Sequence, residues 1–215
     1  MRPSFHARIV RVGGYCDRRG SRHWEVAVTA VLDRLWRDIE ARSRTEGHVV
    51  EIIDGEVITA PRSPARSDTL RSLIRQAERE LGEEVPLVFD VGIDFPGETS
   101  LAPDLAILDL DAQPRGKRYV YMDVVAAIEV VSTAADTNDY VTKVAKYSRF
   151  GIETYLIIDP FTRVCTLHEG AVGAQYEKSS TYRYGGVVEM ELADGRKFSI
   201  DTSGFPGETA ARPAE

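Results

Sequence analysis

Pro103-Asp104-Leu105-Ala106-Ile107-Leu108, then Ile128-Glu129-Val130-Val131-Ser132, then Asp139, Lys143, Tyr147 and Gly151, closing on Tyr155-Leu156-Ile157-Ile158-Asp159-Pro160, is the stretch that decides the fold. Three strand-like apolar runs surround one helix, and the first two each carry an acid. Burying a carboxylate in an apolar strand is costly unless it is paired or bound to a metal. Two such acids on neighbouring strands, with a lysine on the next element, make a candidate divalent-cation site. Hard oxygen ligands of this kind suit Mg²⁺ or Mn²⁺. The spacing also allows a plainer arrangement, in which Asp104 is a turn residue after proline and Glu129 pairs with Lys143.

Outward from this stretch, the pattern predicts a helix over Trp24 to Arg44, with Val28, Val31, Leu32, Leu35, Trp36 and Ile39 as its apolar stripe. Asp54-Gly55 between β-branched runs predicts a hairpin over 49–60 that ends at Pro61 and Pro64. A second helix follows, capped by Ser67 or Asp68, with Leu70, Leu73, Ile74, Ala77 and Leu81 on one face and Gly82 past its end. Val85 to Ile93 reads as a strand and Gly92 to Leu101 as a loop. Leu105 to Leu110 is a short buried strand, and Met122 to Val131 the longest and most central one. On the helix over 136–150, Asp139, Lys143 and Tyr147 share a stripe opposite Val141, Val144, Ala145 and Ser148. That division predicts packing through the valines, with the polar stripe turned away. After Thr154 to Ile158, short alternating runs separated by glycine-rich turns predict an antiparallel meander and, from Gly204, a frayed tail. The order of elements defines an α/β (α+β) domain with one mixed sheet.

Composition narrows the function. The 215 residues carry a net charge of −7, but residues 1–45 hold ten arginines against five acids, leaving −12 on the rest. An acidic body suits a cation site better than an unaided phosphate groove, and the basic segment reads first as a solvated arm or helix face. No run approaches the roughly 18 apolar residues that cross a bilayer, and the start has no secretory h-region. With Cys16 and Cys165 as the only cysteines, neither a disulfide framework nor a CxxC zinc site is indicated. The expectation is a cytoplasmic protein without membrane association. The four histidines are dispersed, and GxSxG, P-loop and GxGxxG devices are absent.

At Glu51, Asp54-Gly55-Glu56, Pro103-Asp104, Glu129-Val130-Val131-Ser132, Asp139, Lys143, Tyr147 and Gly151 to Pro160, the sequence resembles the Uma2 family. That family is described as a restriction endonuclease domain of unknown function within the PD-(D/E)xK nuclease superfamily. The resemblance implies a restriction-endonuclease-like mixed sheet flanked by helices over residues 46–205, with 1–45 as a basic extension and 206–215 as a flexible tail. It implies a metal-dependent endonuclease cutting phosphodiester bonds in DNA. Asp104 and Glu129 would hold Mg²⁺ (or Mn²⁺), helped by the Val130 carbonyl, and Lys143 would orient or deprotonate the attacking water. Glu51 or Glu56 could add a ligand, and a homodimer is expected by analogy with enzymes that cut two strands.

Three departures stand out. The superfamily lysine two positions after the glutamate is Val131 here, so Lys143 substitutes for it. The usual Ser-Pro-Ser-Thr is Ser132-Thr133-Ala134-Ala135, and Arg66, Ser67 and Asp68 stand where a histidine often opens the first core helix. These departures leave room for an alternative, a catalytically silent nuclease-fold module for nucleic-acid binding or assembly. A metal-dependent hydrolase of another substrate is also open.

Overall fold

The computed structural model describes Trp36 and residues 48–61, 63–96, 99–134 and 137–209. The helix expected over Trp24 to Arg44 and the basic segment lie outside these residues except at Trp36, which is helical and packs on Val50 and Ile52. Two mixed sheets and a two-stranded ribbon organise the rest.

The first sheet holds β1 (His48–Ile53), β2 (Glu56–Pro61), β4 (Ile93–Phe95), β5 (Thr99–Leu101) and β7 (Tyr119–Val120) in the order β2-β1-β5-β4-β7. Its hairpin is the expected one. Ile53 faces Glu56 across the two-residue turn Asp54-Gly55, whose φ values of 51° and 79° are both in the left-handed region that Asp-Gly tolerates.

The second sheet holds β3 (Leu87–Val88), β6 (Leu105–Leu108), β8 (Val124–Val130), β9 (Thr154–Asp159), β10 (Val164–Val172) and β11 (Gln175–Arg183) in the order β11-β10-β9-β8-β6-β3. Strands β8 and β9 run parallel and are linked through a helix, whereas β6 and β8 are antiparallel. Every residue of β8 and β9 is buried, as the continuous apolar runs predict. Alternation sorts the side chains to two faces. Leu105, Ile107, Ile128, Val130, Leu156 and Ile158 join one core with helix α1 (Pro64–Leu81). Ala106, Leu108, Ala127, Val131, Tyr155 and Ile157 join a second core with Ile53, Ile93, Phe95 and Leu101 of the first sheet. Asp104 and Glu129 share the parity of this second set, so both point into the layer between the sheets.

Several expectations are corrected. Helix α1 starts earlier than Ser67: Ser63 is its cap, accepting the Arg66 N–H at 3.1 Å, and Pro64 fills the first turn, where its missing N–H costs nothing. The Val85 to Ile93 run breaks at Asp90 (φ 54°) into β3 and β4, which belong to different sheets. Residues 92–101 form the β4–β5 hairpin rather than a loop. At seven residues β8 is not the longest strand, since β10 and β11 have nine each. The meander is divided: β10 and β11 extend the second sheet, while β12 (Val187–Glu191) and β13 (Lys197–Asp201) form a separate ribbon that buries Val188, Met190, Phe198 and Ile200 on the α1 side. Beyond Gly204 the chain is held as far as Glu208. Phe205 is buried against Tyr184, and Glu208 bonds to the Pro160 carbonyl and to Ser63.

The largest correction concerns the helix after β8. Residues Asn138–Thr142 form a π-helical turn, closed by the Lys143 N–H on the Asn138 carbonyl, and α2 (Lys143–Arg149) continues from it. Asp139, Lys143 and Tyr147 face inward and are buried, while Val141 is 63% exposed. The polar stripe packs on the sheet because the sheet presents a carboxylate at that point.

Candidate active site

Register brings the two acids together. Leu105 pairs with Ile128, so Asp104 stands beside Glu129 at the strand ends. The Asp104 N–H donates to Glu129 Oε2 at 3.3 Å, and Asp104 Oδ2 accepts the Val130 N–H at 2.7 Å. Lys143 lies against Glu129, its Nζ 2.9 Å from Oε1, and Tyr147 donates to the same oxygen at 3.0 Å. All three residues singled out from the sequence therefore meet. Of the two hairpin acids, Glu51 is buried, with Oε2 3.0 Å from Lys143 Nζ and Oε1 accepting the Ala102 N–H at 2.9 Å, whereas Glu56 is exposed. Asp139 completes the ring, its Oδ1 3.1 Å from Lys143. The wide turn carrying it is fastened by the Tyr155 hydroxyl, which donates to the Asp139 carbonyl at 2.9 Å.

Arg66 is the participant that sequence reasoning missed. It is only 4% exposed, its Nε donates to Asp104 Oδ1 at 2.7 Å, and its Nη2 bridges Asp104 and Asp90. The signal was available, because Arg66 continues the inward stripe of Leu70, Leu73 and Ala77 on α1. An arginine on an apolar stripe needs a buried acid to face. Asp90, held in the left-handed region between two short strands, carried no comparable sign.

Glu51, Arg66, Asp104, Glu129, Asp139 and Lys143 line one cleft, together with Val49, Ile58, Ala102, Val130, Ser132 and Asn138. Four buried acidic side chains (Glu51, Asp104, Glu129, Asp139) face two buried basic ones (Lys143, Arg66), so the interior holds more acid than base. Burial pushes the Glu129 carboxyl well above the usual carboxylate range; Lys143 pulls it down, while Asp104, Asp139 and Glu51 push it further up. Burial likewise raises Glu51 against the pull of Lys143, and Asp104 against the pull of Arg66. Burial alone would lower Lys143, but Glu129, Glu51 and Asp139 outweigh it and hold the ammonium well above its ordinary value. A lysine so held is a poor general base.

Among the described residues, no group of three or more His, Cys, Asp or Glu side chains is arranged as a metal cage. Mg²⁺ does not require one, since it is commonly bound by one or two carboxylates with waters and substrate phosphates. The oxygen donors of Asp104 and Glu129 and the excess of acidic side chains fit such an ion. No described helix is long and apolar enough to cross a membrane.

A mixed sheet with two acids at adjoining strand ends, and a lysine on the helix that follows, defines a restriction-endonuclease-like fold. The chain belongs to the Uma2 family, described as "Putative restriction endonuclease", whose model matches residues 36–202. Among solved structures it is similar to "a putative nuclease belonging to DUF820" from Anabaena variabilis ATCC 29413. The TM-score is 0.54 at 13% identity, over 66% of this chain and 80% of that one. At that identity the likeness speaks for the fold. No curated protein matches the chain.

Proposed function

We propose that this protein is a divalent-cation-dependent endonuclease that hydrolyses phosphodiester bonds in DNA, its catalytic unit spanning residues 46–205. The observation that carries this reading is the convergence of Asp104 and Glu129 on one face of the second sheet, inside a cleft with more buried acid than base. Asp104 and Glu129 would hold Mg²⁺ or Mn²⁺. Such an ion supplies charge neutralisation at the phosphate and lowers the pKa of a bound water. The protein's own groups prepare the setting. The Val130 N–H and Arg66 fix the two oxygens of Asp104, while Lys143 and Tyr147 fix Glu129 Oε1. Lys143 stays protonated, and its part is to orient Glu51, Glu129 and Asp139 rather than to take a proton from water.

The test is cleavage of single- and double-stranded DNA with Mg²⁺ or Mn²⁺. Asp104→Asn and Glu129→Gln are each expected to lose on the order of 10²–10³-fold in rate, the range seen when one electrostatic partner of a transition state is removed. Equal rates in wild type and both variants would remove the proposal.

A silent binding or assembly module is the second reading. It draws on one observation, that the carboxylates of Asp104 and Glu129 already have protein donors. Calorimetric titration with Mn²⁺ separates the two, since the silent module takes up no ion.

A further inference from the structure

The two buried cations of the cleft differ in what they have left to offer. Lys143 has three N–H donors and is ringed by three carboxylate oxygens, from Glu129, Glu51 and Asp139, at 2.9–3.1 Å. An incoming anion would have to compete with all three acids for it. Arg66 has five donors in a planar fork. Asp104 takes Nε, and Asp104 and Asp90 share Nη2. Among the described residues Nη1 makes no hydrogen bond, although the side chain is 4% exposed and lines the cleft. Two N–H donors are thus held in place beside Asp104 with no acceptor.

We propose that Arg66 is the phosphate anchor of this site: its Nη1 donates to a non-bridging oxygen of the substrate phosphodiester. This rests on the nuclease reading and gives the anion-binding role to a residue outside the Asp104, Glu129 and Lys143 set. A planar guanidinium matches phosphate oxygens in a way a point charge does not. The cleft also needs such a group, because four acidic side chains would otherwise face an anionic substrate with only a lysine already ion-paired to three of them. Asp90 and Asp104 hold the fork by its other edge, so little side-chain freedom is lost when the phosphate arrives. Arg66 then plays two parts in one pose, holding Asp104 on one side and the phosphate on the other.

The experiment measures the affinity of Arg66→Gln and wild type for duplex DNA of several sequences, in EDTA, over a range of salt. Loss of one phosphate contact weakens binding about equally on every sequence and lowers the slope of log affinity against log salt by about 1. An unchanged slope in a folded Arg66→Gln protein would overturn the proposal, because a purely structural arginine does not change the number of phosphates neutralised. Should that variant fail to fold, ¹⁵N-arginine-labelled wild type titrated with inorganic phosphate carries the test. A saturable shift of the Arg66 Nη resonance supports the anchor, and no shift while other arginines respond refutes it. Failure of the nuclease reading looks different: wild type would show no Mg²⁺- or Mn²⁺-dependent cleavage while DNA binding and the slope difference persist.

Discussion

Helices α1 and α2 obey opposite packing rules. Helix α1 buries the apolar stripe that its sequence displays, with Leu73 and Ala77 fully covered. The π turn and α2 bury Asp139, Lys143 and Tyr147 and leave Val141 in solvent. Amphipathicity decides the face only when the opposing surface is apolar. Where the sheet presents Glu129, the helix that follows is turned by charge: a buried carboxylate without a partner costs more than an exposed valine.

The largest effect is expected at Lys143. Lys143→Ala leaves three buried carboxylates facing one another and should destabilise by about 3–5 kcal/mol, as when one partner of a buried pair is removed. Denaturant unfolding measures it, and a loss under 1 kcal/mol would mean that charge does not orient α2. On the other helix, Leu73→Ala should cost about 2–5 kcal/mol through lost burial and a residual cavity, read from the same curves. Tyr147→Phe removes one hydrogen bond to Glu129 and should cost about 1–3 kcal/mol. Val141→Ser should stay within about 0.5 kcal/mol. A loss of several kcal/mol there would restore the packing read from the sequence.

Acidity sharpens the same contrast. In the metal-free protein, Glu129, Glu51 and Asp104 bind protons more tightly folded than unfolded, because burial raises all three. Above the ordinary glutamate value of 4.5 the folded chain therefore holds more protons than the unfolded one. Stability then falls as pH rises from there through the raised values. Thermal melts in EDTA should show it, and Glu51→Gln should flatten the slope.

The contrast also explains what the sequence could disclose. The Asp54-Gly55 hairpin, the apolar strands β6, β8 and β9, and the stripe of α1 follow from local pattern, and all are present. The adjacency of Asp104 and Glu129 was readable because each acid sits at the end of its own apolar run. Strand pairing between distant segments was not readable: β3 and β4 look like one run, and only sheet partners separate them at Asp90. The inward turn of Lys143 was half readable: its pairing with Glu129, 14 residues earlier, was one arrangement the spacing allowed, whereas its other partner Glu51 is far off in the chain. Arg66 stood in plain sight on an apolar stripe, yet it acquires meaning only once Asp104 lies opposite.

The contact between Lys146 on α2 and Asp54 at the hairpin tip has a consequence of its own. Asp54 is 70% exposed, so this clasp sits in water, while the ring around Lys143 is buried. Ionic strength discriminates between the two, since mobile ions screen the outer pair and barely reach the inner one. Rising salt therefore loosens the tie between the hairpin tip and α2 and leaves the cluster around Lys143 intact.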